Sequence, residues 1–222
     1  GVDDALREGG PGFRMGPFEL MDTTGLDVSH PVMESIYTQF YEEPRFRPGP
    51  LTRQRNAAGL YGRKNGRGFY TYKDNKKLFP PATPVPDTLP DAIWISRAEP
   101  AGRAALIEAL ANVVAIDDAA RPSSRSLCLF TPIGKDTTSC AVAEKIEPER
   151  AFSVDTLFGL GGRRTLMSNP VSDTDFRDQI HAALAAGGHA VTTIHDSPGF
   201  VNQRVVALVV NIACDIAQQR IA

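Results

Sequence analysis

The sequence predicts an α+β chain: an all-α helical domain, a Pro-rich linker, an α/β domain and a terminal helix. Three observations carry this prediction. Residues 2–58 hold apolar residues at helical spacing between Gly and Pro stops. Residues 73–90 are polar and contain Pro80, Pro81, Pro84, Pro86 and Pro90, which reads as an extended connection. From Ala92 onward, short apolar strands alternate with helical stretches, the rhythm of a mostly parallel, doubly wound sheet. The expected divisions are 1–75, 76–90, 91–195 and 196–222.

Residues 2–8 read as a short helix closed by Gly9-Gly10-Pro11-Gly12. Pro17 starts a second helix, since a first-turn proline has no N–H to leave unpaired, and Gly25 ends it. Residues 27–29 cap a third helix, in which Val32, Met33, Ile36, Tyr37, Phe40 and Tyr41 recur at helical spacing before Pro44 stops it. Pro48-Gly49-Pro50 is a hard turn before a short helix over 51–58. Gly59, Gly62, Gly66 and Gly68 frame the basic loop Arg63-Lys64-Asn65, which runs into Phe69-Tyr70-Thr71-Tyr72. Beyond the linker, strands are expected at 92–96, 113–117, 127–130, 151–155 and 191–194. Helices are expected at 100–111, 137–145 and 176–186, the last capped by Ser172-Asp173 and ended by Gly187-Gly188. Asp196-Ser197-Pro198-Gly199-Phe200 is a strand-to-helix junction, because Asp and Ser accept from the free N–H groups of a first turn. It opens a final helix over 200–222.

Composition excludes several classes. The 222 residues carry 24 Lys and Arg against 26 Asp and Glu, a formal charge of -2 without blocks of one sign. Nucleic acid and anionic membrane therefore have no electrostatic footprint here. The longest apolar run, 205–216, is broken by Asn211 and Asp215 and is too short to span a bilayer. Cys128, Cys140 and Cys214 are odd in number and far apart, which suits a reducing, cytoplasmic setting. Neither they nor the four scattered His residues have metal-ligand spacing, so no metal is expected. The turn after the first strand of the α/β domain, Ser96-Arg97-Ala98-Glu99-Pro100-Ala101-Gly102, lacks the G-x-G-x-x-G that brings backbone to a pyrophosphate. Gly159-Leu160-Gly161-Gly162 follows a late strand and reads as a mobile loop rather than a phosphate cradle. The domain thus has a Rossmann-like rhythm without the phosphate-binding turn.

Three segments carry a resemblance. Residues 16–27 (Gly-Pro-Phe-Glu-Leu-Met-Asp-Thr-Thr-Gly-Leu-Asp), then Pro48-Gly49-Pro50-Leu51, then residues 62–70 (Gly-Arg-Lys-Asn-Gly-Arg-Gly-Phe-Tyr), resemble the C-terminal helical domain of the 3-hydroxyacyl-CoA dehydrogenases. Asp196-Ser197-Pro198-Gly199-Phe200 is similar to that family's junction from Rossmann domain into helical domain. The resemblance implies a fragment of a duplicated, tandem protein: a helical domain lacking its first helix, a degenerate Rossmann-like domain, and the start of a second helical domain. It implies oxidation of a (3S)-3-hydroxyacyl-CoA to the 3-oxoacyl-CoA. NAD and a His–Glu pair would be held upstream of Gly1, and the protein would form a homodimer. The substrate belongs to fatty-acid β-oxidation or to an aromatic-degradation pathway, such as that of phenylacetate, ending in a 3-hydroxydicarboxylyl-CoA.

The second copy departs from the family where chemistry would sit. Residues 153–158 hold no His, Thr165 stands near the family's Glu, and Gln203 replaces an Asn with Asn202 beside it. Asp155 would normally be ionised and too weak a base. No catalytic, cofactor-binding or metal residue is therefore assigned in this chain. The substrate-binding candidates are Pro17, Phe18 and Met21, with Phe18, Leu20 and Met21 as acyl-pocket walls, and Arg63 and Lys64 as partners of CoA phosphates. Core packing and a solvated basic loop compete with those roles. Asp22 and Asp27 read as helix-end groups and His30 as structural. A scaffold or dimerisation module that binds no ligand is the competing reading of the whole chain. The helix over 200–222 is expected to pack on residues 1–72, in the same chain or in a neighbouring copy, where the missing helix would lie.

Overall fold

The computed structural model describes residues 1–79 and 84–220. The chain forms two compact units, one of Gly1–Phe13 with Pro84–Ala222, the other of Arg14–Thr83. The first helix, α1 (Val2–Glu8), therefore groups with the α/β residues rather than with the helical segment that follows it in sequence. This differs from the division expected at residue 75, as does the inclusion of the last helix in the α/β unit.

In the unit of residues 14–83, α2 (Pro17–Thr24) starts at Pro17 and stops at Gly25, whose φ of 87° few other residues adopt at low cost. Gly25 also begins α3 (Leu26–Gln39), so Asp27 and Ser29 lie inside its first turn instead of capping it. Ser29 Oγ donates to the Gly25 carbonyl at 3.0 Å. Tyr41 and Glu42 at positive φ end the run before Pro44. Within this unit the apolar stripe of α3 stays largely open: Val32, Ile36 and Phe40 are exposed, and only Leu26 and His30 are buried. Next come α4 (Pro50–Ala57), a 3-10 turn at Arg63–Asn65, and a hairpin of β1 (Tyr72–Lys73) with β2 (Lys76–Lys77). That hairpin occupies the start of the stretch read as an extended linker. Asp74 and Asn75 at positive φ turn it, residue types that suit a two-residue hairpin loop. Pro80 and Pro81 lie outside the described residues.

The α/β unit holds a six-stranded sheet in the order β4-β3-β5-β6-β7-β8. In chain order its elements are β3 (Ala92–Ile95), α5 (Pro100–Leu110), β4 (Ala115–Asp117), β5 (Ser126–Phe130), α6 (Thr137–Glu144) and β6 (Ala151–Val154). They continue with β7 (Arg164–Ser168), α7 (Thr174–Ala185), β8 (Val191–His195) and α8 (Val201–Gln218). Every pairing is parallel except β6 with β7, where Ser153 faces Met167. Within the six-stranded sheet, β7 is the strand that sequence reading passes over. It begins with Arg164, which is buried because its guanidinium donates to the Leu160 carbonyl (3.0 Å) and the Leu184 carbonyl (2.8 Å).

Residues Ile93, Leu106, Leu129, Phe152, Leu166 and Leu184 fill one core, and Trp94, Cys128 and Phe130 with Ala141 and Ile146 fill another. The glycine loop before β7 is held in place. Arg163 N–H donates to the Glu8 carbonyl at 3.1 Å, and a Cβ on Gly162 would lie 2.0 Å from that same oxygen. Helix α8 meets α1 through its first turn, where Asn202 Nδ2 donates to the Gly9 carbonyl at 2.9 Å. Beyond that turn Leu208, Val209, Val210, Ile212 and Ile216 are exposed. Of the expected packing of α8 on residues 1–72, the contact with α1 lies within this unit. Among the described residues no helix is long and apolar enough to cross a membrane.

Candidate functional site

The helical unit is organised by Asp22, on α2 and 1% exposed. It is more than a helix-end group. Its carboxylate accepts from Phe69 N–H (2.8 Å), Tyr70 N–H (2.9 Å) and Tyr72 Oη (3.1 Å). A Cβ on Gly62 would lie 2.4 Å from the Asp22 carbonyl oxygen, and one on Gly68 would lie 2.1 Å from its Oδ1. The glycines therefore exist so that the loop can close on this carboxylate. Burial, with the Asp22 charge beside it, pushes the Tyr72 phenol up from its ordinary pKa.

Closing the loop brings Phe69 onto α2. Its ring stacks on Phe18 with centroids 4.6 Å apart. The Arg55 guanidinium of α4 lies over the same ring, 4.4 Å from its centroid, and its Nη1 donates to the Gly68 carbonyl at 2.7 Å. Arg55 Nε is buried without a hydrogen-bond partner. Of the predicted pocket residues, Phe18 enters this stack, while Pro17 and Met21 are half-buried on the same helix. Arg63 and Lys64 share the 3-10 turn but have separate partners. Arg63 lies over Tyr72 at 5.6 Å, and Lys64 pairs with Asp27. Asp27 is thereby an ion-pair partner, not a cap. An anion recruited to Lys64 would compete with that carboxylate. His30 is buried with Thr52 Oγ1 at 3.3 Å on one ring nitrogen and Glu34 at 3.3 Å on the other, which fits a structural role. Beside it Glu34, Tyr37, Thr38, Pro48 and Arg53 complete an open cleft of about 440 Å³.

In the α/β unit, Asp155 follows β6 and is 7% exposed. It accepts from Gln203 Nε2 (3.1 Å), Leu157 N–H (3.2 Å) and Asn202 Nδ2 (3.3 Å). Burial pushes its pKa up from the ordinary carboxylate value, against the pull of those donors. Asn202 and Gln203 tie α8 to this carboxylate. Gln203 also binds the Pro132 carbonyl and Gly134 N–H.

A dinucleotide would enter at the carboxyl ends of β3 and β5, where the strand order reverses. Ser96, Glu99, Thr131, Lys135 and Glu144 are among the residues lining a cavity of only about 30 Å³ there. Ser96 Oγ donates to Glu144. A Cβ on Gly102 would lie 2.4 Å from Thr131 Oγ1, so α5 sits directly on the loop after β5. Two carboxylates and a filled turn do not fit the pyrophosphate of NAD.

Comparison with known proteins matches residues 1–72 to the family described as 3-hydroxyacyl-CoA dehydrogenase, C-terminal domain. The 3-hydroxyadipyl-CoA dehydrogenase of Escherichia coli strain K12 is 28% identical over 225 residues, covering 100% of this chain and 41% of that protein. A probable 3-hydroxyacyl-CoA dehydrogenase of Caenorhabditis elegans is 44% identical over 72 residues, 32% of this chain and 23% of its own length. The crystal structure of a 3-hydroxybutyryl-CoA dehydrogenase from Escherichia coli K12 superimposes with a TM-score of 0.68 at 23% identity, over 98% of this chain and 41% of that one. That likeness establishes the fold. The chain spans less than half the length of each of these relatives.

Proposed function

We propose that the chain, whose residues 1–72 match the C-terminal domain of the 3-hydroxyacyl-CoA dehydrogenases, is part of an NAD-dependent enzyme oxidising (3S)-3-hydroxyacyl-CoA to 3-oxoacyl-CoA. Its helical unit supplies walls of the acyl pocket through Pro17, Phe18 and Met21, and its basic turn, Arg63 and Lys64, meets CoA phosphates. NAD, which takes the hydride from the substrate's C3, is bound by a domain upstream of Gly1 together with the His base. The α/β unit is a degenerate copy of such a domain, and α8 begins a second helical domain. The whole enzyme is a homodimer. The acyl group is that of fatty-acid β-oxidation or, in line with the name of the Escherichia coli relative, a dicarboxylic one.

The observation that carries this reading is the Asp22 clamp, which closes the family's glycine-rich loop on α2 and stacks Phe69 on Phe18. The chain alone has no turnover, because no His stands among residues 153–158 and the switch-point crevice does not fit NAD. The test is NADH formation on 3-hydroxybutyryl-CoA or 3-hydroxyadipyl-CoA. No rate above the blank is expected, and turnover by these 222 residues would overturn the assignment of the chemistry to another domain. The competing reading, a scaffold or dimerisation module without ligand, is favoured by the exposed apolar face of α8. Calorimetry with acyl-CoA decides between them: micromolar binding supports a retained pocket, and no heat supports the scaffold.

A further inference from the structure

We propose that the Arg55 guanidinium reads a carboxylate at the far end of the acyl chain, making this unit selective for dicarboxylyl-CoA thioesters. The inference rests on the acyl-pocket reading of α2 and names the group that would choose among its substrates. Arg55 and Phe18 both pack against Phe69, Arg55 at 4.4 Å and Phe18 at 4.6 Å between centres. The cation is therefore held beside a side chain assigned to the acyl wall, by contacts within one unit.

Its hydrogen-bonding capacity is not used up. Guanidinium carries five N–H donors. Nη1 serves the Gly68 carbonyl, while Nε is buried and has no partner. A loop-stapling role accounts for the first donor and leaves the second unexplained. A buried donor without an acceptor is costly and marks a place where an acceptor is missing. Among the described residues Arg55 takes part in no ion pair. The neighbouring cations differ. Lys64 is paired with Asp27 and Lys77 with Glu19. Arg63 also has an unpartnered Nε, but it lies over Tyr72, whose hydroxyl is bound to Asp22. Arg55 thus lacks the paired carboxylate that Lys64 and Lys77 have.

The chemistry selects the ligand. Bringing a carboxylate into an apolar pocket is unfavourable without a cation to receive it, whereas a methyl terminus enters freely. A guanidinium meets a carboxylate through two parallel N–H groups, and stacking on a ring holds its plane ready.

The test compares adipoyl-CoA with hexanoyl-CoA, which share chain length and differ in ending on carboxylate or methyl. Both are titrated calorimetrically into the chain and into R55L and R55K, with far-UV circular dichroism to confirm folding. The unsubstituted chain should prefer adipoyl-CoA. R55L should lose about 10- to 100-fold in adipoyl-CoA affinity while hexanoyl-CoA stays within about 3-fold. R55K, which keeps the charge without the fork, should fall between. Equal loss for both ligands, or no preference in the unsubstituted chain, overturns the inference and leaves the acyl-pocket reading standing. Failure of both thioesters to bind the unsubstituted chain overturns the inference and the acyl-pocket reading together.

Discussion

Asp22 and Asp155 are both buried carboxylates that collect hydrogen-bond donors, one in each unit, but what they collect differs. Asp22 gathers two backbone N–H groups and a phenol from residues 69–72. Asp155 gathers two side-chain amides from the first turn of α8 and one backbone N–H close to itself. A carboxylate that binds backbone shapes the loop around it and leaves its mark in glycine spacing. One that binds side-chain amides leaves no such mark. In the helical unit the shaped loop yields the Phe18–Phe69–Arg55 stack. In the α/β unit the cluster ties α8 to the end of the sheet.

Breaking the loop should have the largest effect. Gly62 has φ of 110° and its missing Cβ would meet Asp22 backbone at 2.4 Å, so Gly62→Ala should cost roughly 3 kcal/mol or more in the helical unit. Urea unfolding followed by far-UV circular dichroism would register the loss. Trp94 fluorescence, which reports the α/β unit alone, should keep its midpoint. A parallel drop in both signals would mean that the clamp is not local.

Arg164 gives the next effect, on the other side of the comparison. Removing its guanidinium in Arg164→Met strands the Leu160 and Leu184 carbonyls and should lower the Trp94-reported stability by about 2 kcal/mol. An unchanged midpoint would mean that water satisfies both carbonyls.

The smallest effect is a slope with pH. Burial raises the Asp155 pKa in the native state, so the penalty for its charge is present at high pH and is relieved as pH falls through that raised value. Below about pH 4 the group is protonated folded or unfolded and contributes nothing. Asp117 acts in the opposite sense. Hydrogen bonds from Ser123, Ser126 and Ala119 lower it to about 2, so its stabilisation is present above the ordinary carboxylate range and is lost as pH falls toward that value. Trp94-reported stability should therefore carry an Asp155 gain as pH falls through its raised pKa and an Asp117 loss below about pH 4. Asp155→Asn should remove the first slope and leave the second. Persistence of the first slope in that variant would place its origin elsewhere.

The same contrast explains what could be read from the residues. Pro17, Gly25 and Asp173 announced the helices they bound because each acts on its own backbone. The parallel strands announced themselves as short apolar runs. Strand β7 did not, because its first residue is an arginine whose burial depends on carbonyls at Leu160 and Leu184. The resemblance pointed to Phe18, but Arg55 went unmarked: its partners Gly68 and Phe69 lie more than a dozen residues away, and helix spacing carries no trace of them. Asp22 was visible as a helix-end residue, and only its reach to residues 69–72 revealed the clamp. The exposed apolar stripes of α3 and α8 show the limit of periodicity, which identifies an apolar face without saying what covers it.

The central claim is that the helical unit, and not the α/β unit, receives the acyl-CoA. Amide hydrogen exchange with and without adipoyl-CoA tests it most directly. Exchange should slow in α2 and across residues 62–72, with α5 and the turn at residues 96–102 unchanged. Protection confined to α5 and that turn, or none in the helical unit, would contradict it.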